Sequence, residues 1–260
     1  MTAKLNYLWR LIATGCCFAT FGLGGLVISA VLIPSVHILP GGRERRKLRI
    51  KWLIQKSFVL FISMMQRTGV MRLEIVGGEQ LKHSEGMLVL ANHPTLVDVV
   101  VLLSLIPNAN CVVKSALWRN PFLGGVVRGA DFISNSAPDT LIDDCALSLS
   151  SGQPLVIFPE GTRTKPGQPL KFLRGAAYIA LKSGKPVLPV ILHCDPPTLN
   201  KGAKWYCIPH RTFNFRVEVR PPIQPGMWVD NDAPSAIAAR KMTDALENYF
   251  KQELETYGNA

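Results

Sequence analysis

From residue 72 onward, short apolar runs alternate with longer amphipathic segments. Several of the runs are continuously apolar, as strands covered on both faces should be. Helices are predicted between the runs at residues 94–106, 138–152 and 172–184. Alternating strands and helices predict an α/β fold with a mixed, mostly parallel sheet covered by helices. The predicted strands are residues 73–77, 87–91, 110–114, 131–135, 154–158 and 186–192.

Two further segments near the C-terminus have different patterns. Apolar and polar residues alternate strictly from Phe213 to Val219, and Pro221 follows. This alternation predicts a half-exposed edge strand that stops at the proline. Residues 234–255 are predicted to form an amphipathic helix, with Leu246 and Phe250 on its apolar stripe.

The N-terminal region predicts a membrane helix. Residues 11–33 contain no Asp, Glu, Lys or Arg. A helix of this length is long enough to cross the hydrocarbon core of a bilayer. We interpret them as a retained anchor, because no convincing signal-peptide cleavage site follows. The heavier basic cluster comes after the anchor, which predicts that the body of the protein lies on the cytoplasmic side. The basic cluster consists of Arg43, Arg45, Arg46, Lys47, Arg49 and Lys51.

A second apolar stretch, residues 58–65, is too short to span a bilayer alone. It is predicted to lie in the membrane interface, or to pair with residues 11–33 as a re-entrant hairpin. The predicted organisation is therefore an anchor with an interfacial helix over residues 1–70, and one catalytic domain over residues 71–260.

Composition narrows the class of partner. The chain has 260 residues, a net charge of +11 and 48% hydrophobic residues, which favours a polyanionic partner and a membrane contribution. Aromatic and basic residues are not interleaved as in nucleic-acid-binding proteins, so no nucleic acid is expected. His193, Cys194, Cys207 and His210 can be drawn as metal ligands, but they lack the closely spaced cysteine pairs of structural zinc sites. We predict no metal.

The first candidate chemistry lies in the segment ANHPTLVD. His93 follows a buried strand and precedes a predicted helix that begins at Pro94, and such junctions often present catalytic groups. Asp98 is just over one turn further on and can reach back to the imidazole. Such a pair suits a general base that activates a hydroxyl. The alternative is a buried histidine bonded to a backbone carbonyl, with Asp98 as a helix cap or exposed to solvent.

The second candidate is the segment FPEGTRT, which directly follows another buried strand. It contains Glu160, Gly161, Thr162 and Arg163. Glycine lets the backbone approach a ligand, and arginine can bind a phosphate with two hydrogen bonds. The alternative is a tight surface turn with a Glu–Arg ion pair. No G-x-S-x-G segment, P-loop or dinucleotide fingerprint is present, so a serine hydrolase or nucleotide-binding protein is not expected.

Together these segments resemble the membrane glycerolipid acyltransferases of the bacterial 1-acylglycerol-3-phosphate type. NHPTLVD is similar to their N-H-x-x-x-x-D block, FPEGTRT to their F-P-E-G-T-R block, and VLPVIL at residues 187–192 to their fourth block. The resemblance covers about residues 70–225. It implies a glycerolipid acyltransferase-like fold, an inner-membrane location and a role in phospholipid synthesis.

The resemblance also implies a mechanism. His93, oriented by Asp98, would deprotonate the acceptor hydroxyl, which attacks the thioester of acyl-CoA or acyl-carrier protein. The acceptor would bind to the Glu160–Arg163 segment, with Arg163 facing a phosphate. Membrane lipids and the acyl donor are the expected partners. No cofactor is expected, and the oligomeric state stays open.

One block departs from the family pattern. The second block usually ends in an arginine that helps to hold glycerol phosphate, and Asn135 stands there in this chain. Asparagine supplies no positive charge, although Lys114 or Arg128 can compensate. Two alternatives to lysophosphatidic acid acylation therefore stay open. One is the same chemistry on another acceptor or with a specialised acyl chain, and the other is a non-catalytic lipid-binding protein.

Overall fold

In the computed structural model of the chain, residues 2–136, 138–229 and 236–258 are described, and a seven-stranded sheet organises them. Its strands are β1 (Met71–Val76), β2 (Leu88–Ala91), β3 (Asn110–Val113), β4 (Ile133–Ser134), β5 (Leu155–Ile157), β6 (Val187–Asp195) and β7 (Phe213–Val219). The spatial order is β1-β7-β6-β2-β5-β3-β4. The pair β6 and β7 is antiparallel, and every other neighbouring pair is parallel. The predicted mixed, mostly parallel sheet is confirmed.

Helices cover both faces of the sheet. On one face, α1 (Thr2–Val27) continues through a π-helical turn, Ile28–Leu32, into α2 (Ile33–Ile38), and α3 (Arg43–Arg67) returns beside it. The others are α4 (Glu79–Lys82), α5 (Asp98–Leu105), α6 (Gly124–Gly129), α7 (Pro138–Ser150), α8 (Gly175–Ser183) and α9 (Ala236–Gly258). Short 3₁₀ turns occur at Ser115–Arg119 and Pro225–Met227.

The alternation of side chains along β2 divides the interior into two cores. Val89 and Ala91 face a core shared with α1, α3, α5 and α6. Leu88 and Leu90 face the other core, which α7, α8 and α9 cover. Each strand of a parallel sheet buried on both sides contributes to both cores, which explains the continuously apolar sequence of this strand.

The prediction of an edge strand at residues 213–223 is wrong in its placement. β7 lies inside the sheet, between β1 and β6. The polar residues that suggested solvent exposure instead form ion pairs: Arg216 with Glu74 and Glu218, and Arg220 with Glu218. Glu218 is buried. Paired charges on one face of an interior strand produce the same alternation of polar and apolar residues as an exposed edge strand. The sequence does not reveal the partners of these charges, so it cannot distinguish the two cases.

The predicted N-terminal helix is present and longer than residues 11–33. Within the part of the chain that the structure describes, the segment Ala3–Ile38 is the one helix long and apolar enough to cross a membrane. It packs on the domain at two places. Buried Arg10 donates hydrogen bonds to the carbonyls of Pro209 and His210. Further along, a Cβ added at Gly25 would lie only 2.5 Å from the backbone oxygen of Phe122.

The second apolar stretch, residues 58–65, is not a separate interfacial helix. It is the second half of α3, and Phe58, Phe61, Ile62 and Met65 on it are buried. The helix predicted at residues 234–255 is α9, with Leu246 and Phe250 buried as expected. Residues 234 and 235 of that prediction lie outside the described part of the chain, as do residues 1, 259 and 260 of the predicted domain bounds.

α3 carries a buried cation, Lys51, which is only 6% exposed. Its ammonium donates to Gln153 Oε1 at 3.1 Å and lies 3.4 Å from the carbonyl oxygen of Asn108. Removal from water lowers the pKa of Lys51 from 10.5 to about 8. The folded protein therefore bears the full cost of the buried charge below pH 8. That cost disappears between pH 8 and 10.5, because the folded side chain loses its proton before the unfolded one does.

We expect Lys51→Met to stabilise the protein at pH 7 by on the order of 2 kcal/mol, because it removes this cost. Gln153 Oε1 keeps Asn110 as a hydrogen-bond donor. The free energy of unfolding is measured at pH 7 and at pH 10, and the advantage of the variant should shrink at pH 10. Lys241→Met, on exposed Lys241, is the control. An equal advantage at both pH values would contradict the assignment of the effect to the buried charge.

Candidate active site

The two candidate segments meet at the carboxyl ends of neighbouring strands. β2 and β5 are parallel and adjacent, with Leu90 opposite Ile157. His93 follows β2 and Glu160 follows β5, so both loops leave the same edge of the sheet. They are joined directly: the backbone N–H of His93 donates to Glu160 Oε1 at 2.6 Å, and that of Thr164 donates to the His93 carbonyl at 3.1 Å. Such an edge is a usual position for ligand sites in α/β proteins.

His93 and Asp98 form the pair that their spacing suggested. The distance between His93 Nδ1 and Asp98 Oδ2 is 2.7 Å, and Asp98 is fully buried. A carboxylate at Nδ1 favours the tautomer with the proton on Nδ1 and a lone pair on Nε2. Burial raises the pKa of Asp98, and the hydrogen bonds from His93 and Thr95 oppose that rise. The imidazole is 16% exposed, so an acceptor can reach it.

Thr95 fixes the other side of Asp98 and changes where the helix begins. Its backbone N–H donates to Asp98 Oδ2 at 2.8 Å, and its hydroxyl donates to Asp98 Oδ1. Residues 95–97 form a bend before the helix, and Val97 is its N-cap residue. α5 therefore begins at Asp98, and the prediction that Pro94 opens it is wrong.

The Glu160–Arg163 segment forms a turn in which the side chains of Glu160 and Arg163 bond within the protein. Gly161 has φ of 66°, a left-handed conformation that favours glycine. Glu160 is buried and also accepts a hydrogen bond from the Thr164 hydroxyl. Burial raises the pKa of Glu160, against the opposing effect of the Thr164 and His93 donors.

Arg163 joins this turn to the connection between β6 and β7. Its Nη1 donates to the carbonyls of Leu199 and Asn200 at 3.0 and 3.2 Å. One nitrogen of the guanidinium is therefore committed to the protein. Acceptor binding by Glu160, Gly161, Thr162 and Arg163 stays a prediction.

Three positions near the site carry roles that the sequence reasoning missed. Asn92 clamps β2 to β6 with two hydrogen bonds to the backbone of Leu192, at 2.9 and 2.7 Å. The Phe158 ring stacks on His93 with centroids 4.2 Å apart. Thr95 had a readable signal, the Thr-x-x-Asp spacing. No local pattern pointed to Asn92, because its partner is 100 residues away.

Asn135, the departure from the family pattern, is part of the backbone structure beside Lys114. Its side-chain oxygen accepts the backbone N–H of Ser115 at 3.0 Å, and its own N–H donates to the Val113 carbonyl at 3.0 Å. Among the described residues, no group of three His, Cys, Asp or Glu side chains is placed to hold a metal ion.

A buried His–Asp pair at one strand end and a Glu-Gly-Thr-Arg turn at the next form the candidate site of this α/β domain. Residues 72–193 match the family model described as Acyltransferase, and the predicted resemblance is confirmed. A 1-acyl-sn-glycerol-3-phosphate acyltransferase of Helicobacter pylori is 35% identical over 112 residues, which cover 40% of this chain and 47% of that protein.

More distant relatives extend the match. The human 1-acyl-sn-glycerol-3-phosphate acyltransferase alpha is 24% identical over 198 residues, covering 72% of this chain and 66% of that protein. The crystal structure of the 1-acyl-sn-glycerophosphate acyltransferase PlsC from Thermotoga maritima superposes with a TM-score of 0.71 at 21% identity, over 97% of this chain and 98% of that one. This likeness confirms the fold. The chain spans about half the length of the Helicobacter relative.

The contacts of Glu160 predict a positioning role that can be separated from acceptor binding. We expect Glu160→Ala to lower kcat about 10²-fold, because the His93 backbone loses the bond that fixes it. Glu160→Gln should retain most activity, since its amide oxygen can accept from His93 and its amide nitrogen can donate to Thr164. Both kcat and the KM for acceptor are measured, with exposed Glu85→Ala as the control. Equal losses in the Gln and Ala variants would instead indicate that the Glu160 charge contacts the acceptor.

Proposed function

We propose that this chain is a membrane-associated O-acyltransferase that moves a fatty acyl group from acyl-CoA or acyl-carrier protein to the hydroxyl of a lysophospholipid. Lysophosphatidic acid is the first candidate acceptor, because the relatives reported above are named for that reaction. The observation that carries the proposal is the 2.7 Å contact between His93 Nδ1 and fully buried Asp98 at a strand end.

The proposed reaction is a direct transfer. Nε2 of His93 takes the proton of the acceptor hydroxyl as its oxygen attacks the thioester carbonyl. The carbon–sulfur bond then breaks, and the imidazolium returns the proton to the departing thiolate. Asp98 stabilises the imidazolium between these steps and holds the ring. No acyl-enzyme forms, and the new ester is the product.

The cations around the site support an anionic acceptor or donor. Arg163 lies in the turn beside His93 with part of its guanidinium uncommitted, and Lys165 and Lys114 are exposed. An acceptor phosphate, the phosphates of CoA and the acidic surface of a carrier protein all suit such groups. Asn135 supports the second candidate, a different acceptor or a specialised acyl chain, because its side chain adds hydrogen bonds and no charge.

The exposed face of the N-terminal helices supports membrane association. Leu5, Trp9, Ile12, Leu23 and Val27 are at least half exposed on α1, although they are apolar. The opposite face packs on the catalytic domain from Arg10 to Gly25. A helix with a domain along its side is better suited to lie in the interface than to cross the bilayer. We therefore propose interfacial binding to the cytoplasmic face of the inner membrane.

A cavity between these helices and the domain suits a lipid chain. It has a volume of about 100 Å³ and lies between α1, α3 and α6. Its lining is apolar and includes Phe21, Gly24, Phe58 and Leu123. Pockets that bind apolar ligands are lined mostly by hydrophobic and aromatic side chains, as this cavity is.

An acyl-transfer assay on purified, detergent-solubilised protein tests the proposal. Acyl-CoA and acyl-carrier protein are each offered with lysophosphatidic acid and a panel of other lysolipids, and products are identified by mass spectrometry. New phosphatidic acid is the expected result. Product on another lysolipid alone would favour the second candidate. Lipid binding without transfer from either donor would overturn the catalytic proposal and favour a lipid-binding protein.

A further inference from the structure

The connection between β6 and β7 is much longer than its strands require. Antiparallel neighbours are usually joined by two to five residues, whereas this connection runs from residue 196 to residue 212. It contains no helix or strand, and all of it lies in the described part of the chain. Long irregular loops that stay in compact domains usually have a function.

One part of this loop is bonded to the active-site segments. The carbonyl of buried Leu199 accepts a hydrogen bond from the backbone N–H of Leu96 at 3.0 Å. The same oxygen accepts Nη1 of Arg163 at 3.0 Å. The loop therefore contacts both the His93–Asp98 segment and the Glu160–Arg163 segment.

Another part of the loop is bonded to α1. Arg10 is buried, and its guanidinium donates to the carbonyl oxygens of Pro209 at 2.9 Å and His210 at 2.6 Å. The Trp205 ring lies against Gly15, where an added Cβ would be 3.3 Å from two ring carbons. The loop is thus fixed between the catalytic centre and the N-terminal helix.

Between these attachments the loop presents an aromatic and basic surface. Trp205 and Tyr206 are 46% and 45% exposed, and their rings meet edge to face with centroids 5.6 Å apart. Lys204 Nζ lies 5.5 Å from the Tyr206 ring centroid, and Lys201 and Lys204 are exposed. Tryptophan and tyrosine favour the headgroup level of a bilayer, and lysines there attract anionic lipid.

This surface continues the exposed apolar stripe of α1. Leu8, Ile12 and Gly15 occupy positions i, i+4 and i+7 of the helix and so share one face. Leu8 and Ile12 are exposed, and Trp205 sits on Gly15 at the next turn. The apolar helix face and the aromatic loop form one continuous surface, with the lysines beside it.

We infer that residues 201–206 form a membrane-contact loop that inserts Trp205 and Tyr206 at the headgroup level of an anionic bilayer. The inference rests on the proposed membrane association and adds a second contact element to it. Because the loop is bonded to Leu96 and Arg163, its insertion fixes the depth of the catalytic segments relative to the bilayer. A lysolipid acceptor keeps its acyl chain in the membrane and presents its hydroxyl at that level.

Tryptophan fluorescence with vesicles of brominated phosphatidylcholine and phosphatidylglycerol tests the insertion of the loop. The chain has five tryptophans, and we expect Trp205→Phe to lose part of the lipid-dependent quenching. Trp228→Phe is the matched control, because Trp228 packs near Tyr249 of α9 on the opposite side of the sheet. Its removal should leave the quenched fraction the same or larger. Wild-type quenching in Trp205→Phe would overturn the inference.

Vesicle co-sedimentation tests the lysines separately. We expect the double variant Lys201→Gln/Lys204→Gln to bind phosphatidylglycerol vesicles at least about tenfold more weakly than wild type. The double variant Arg240→Gln/Lys241→Gln, which changes the same charge on exposed positions of α9, should bind as wild type does. If wild type fails to bind vesicles, the proposed membrane association fails. If wild type binds and both loop variants behave like it, only the loop inference fails.

Discussion

His93→Ala is expected to lower kcat for acyl transfer about 10³-fold, with little change in the KM for either substrate. A general base acts in the transition state and contributes roughly 10²–10⁴-fold, so its loss appears in kcat. The Nε2 atom that would take the proton is positioned by the Nδ1 contact with Asp98 and by the stacked Phe158 ring. The measurement is a steady-state assay with the donor and acceptor that wild type uses.

His83→Ala provides the matched control, because His83 is exposed at the end of α4, away from both strand-end loops. It should retain wild-type kcat. Thermal unfolding of the two variants checks that each is folded, since His93 contributes backbone as well as side-chain contacts to the site. A His93→Ala enzyme within tenfold of wild type would contradict the role of general base.

The sheet and the contact between His93 and Asp98 could be predicted because both depend on local sequence. Continuously apolar runs located the strands, and a five-residue separation placed Asp98 within reach of His93. The misplacement of β7 has a different origin. Its neighbours are β1 and β6, and the pairing with β1 joins residues about 140 positions apart, such as Met71 and Phe213. No local pattern reports such a pairing.

In the N-terminal region, too, contacts between residues far apart in the sequence could not be predicted. Hydropathy identified the apolar N-terminal helix, but it did not reveal that one side of it packs on the domain. That packing depends on Arg10, a charge just before the apolar segment, which bonds to the loop before β7. The sequence also gives no sign that the same loop joins α1 to Arg163. The loop makes these bonds with backbone carbonyls, which every residue type has.

Asp98→Asn is the second variant with a large expected effect, and it separates orientation from charge. The amide oxygen can accept from His93 Nδ1 and from the Thr95 N–H, while the amide nitrogen can donate to the Thr95 hydroxyl. The tautomer of His93 is therefore retained and the fold is preserved. The variant loses the negative charge that faces the imidazolium when His93 holds the proton. We expect kcat to fall about 10²-fold with little change in thermal stability.

Asp98→Ala should be worse in both respects. It removes the acceptor for His93 and leaves the buried Thr95 N–H without its partner, so kcat should fall about 10³-fold and the midpoint of thermal unfolding should drop. Asp244→Asn, at an exposed position of α9, is the control for the loss of one carboxylate charge. If Asp98→Asn keeps kcat within threefold of wild type, the carboxylate charge contributes little to catalysis. The pair would then act through orientation alone, because the neutral amide makes the same hydrogen bond to the ring.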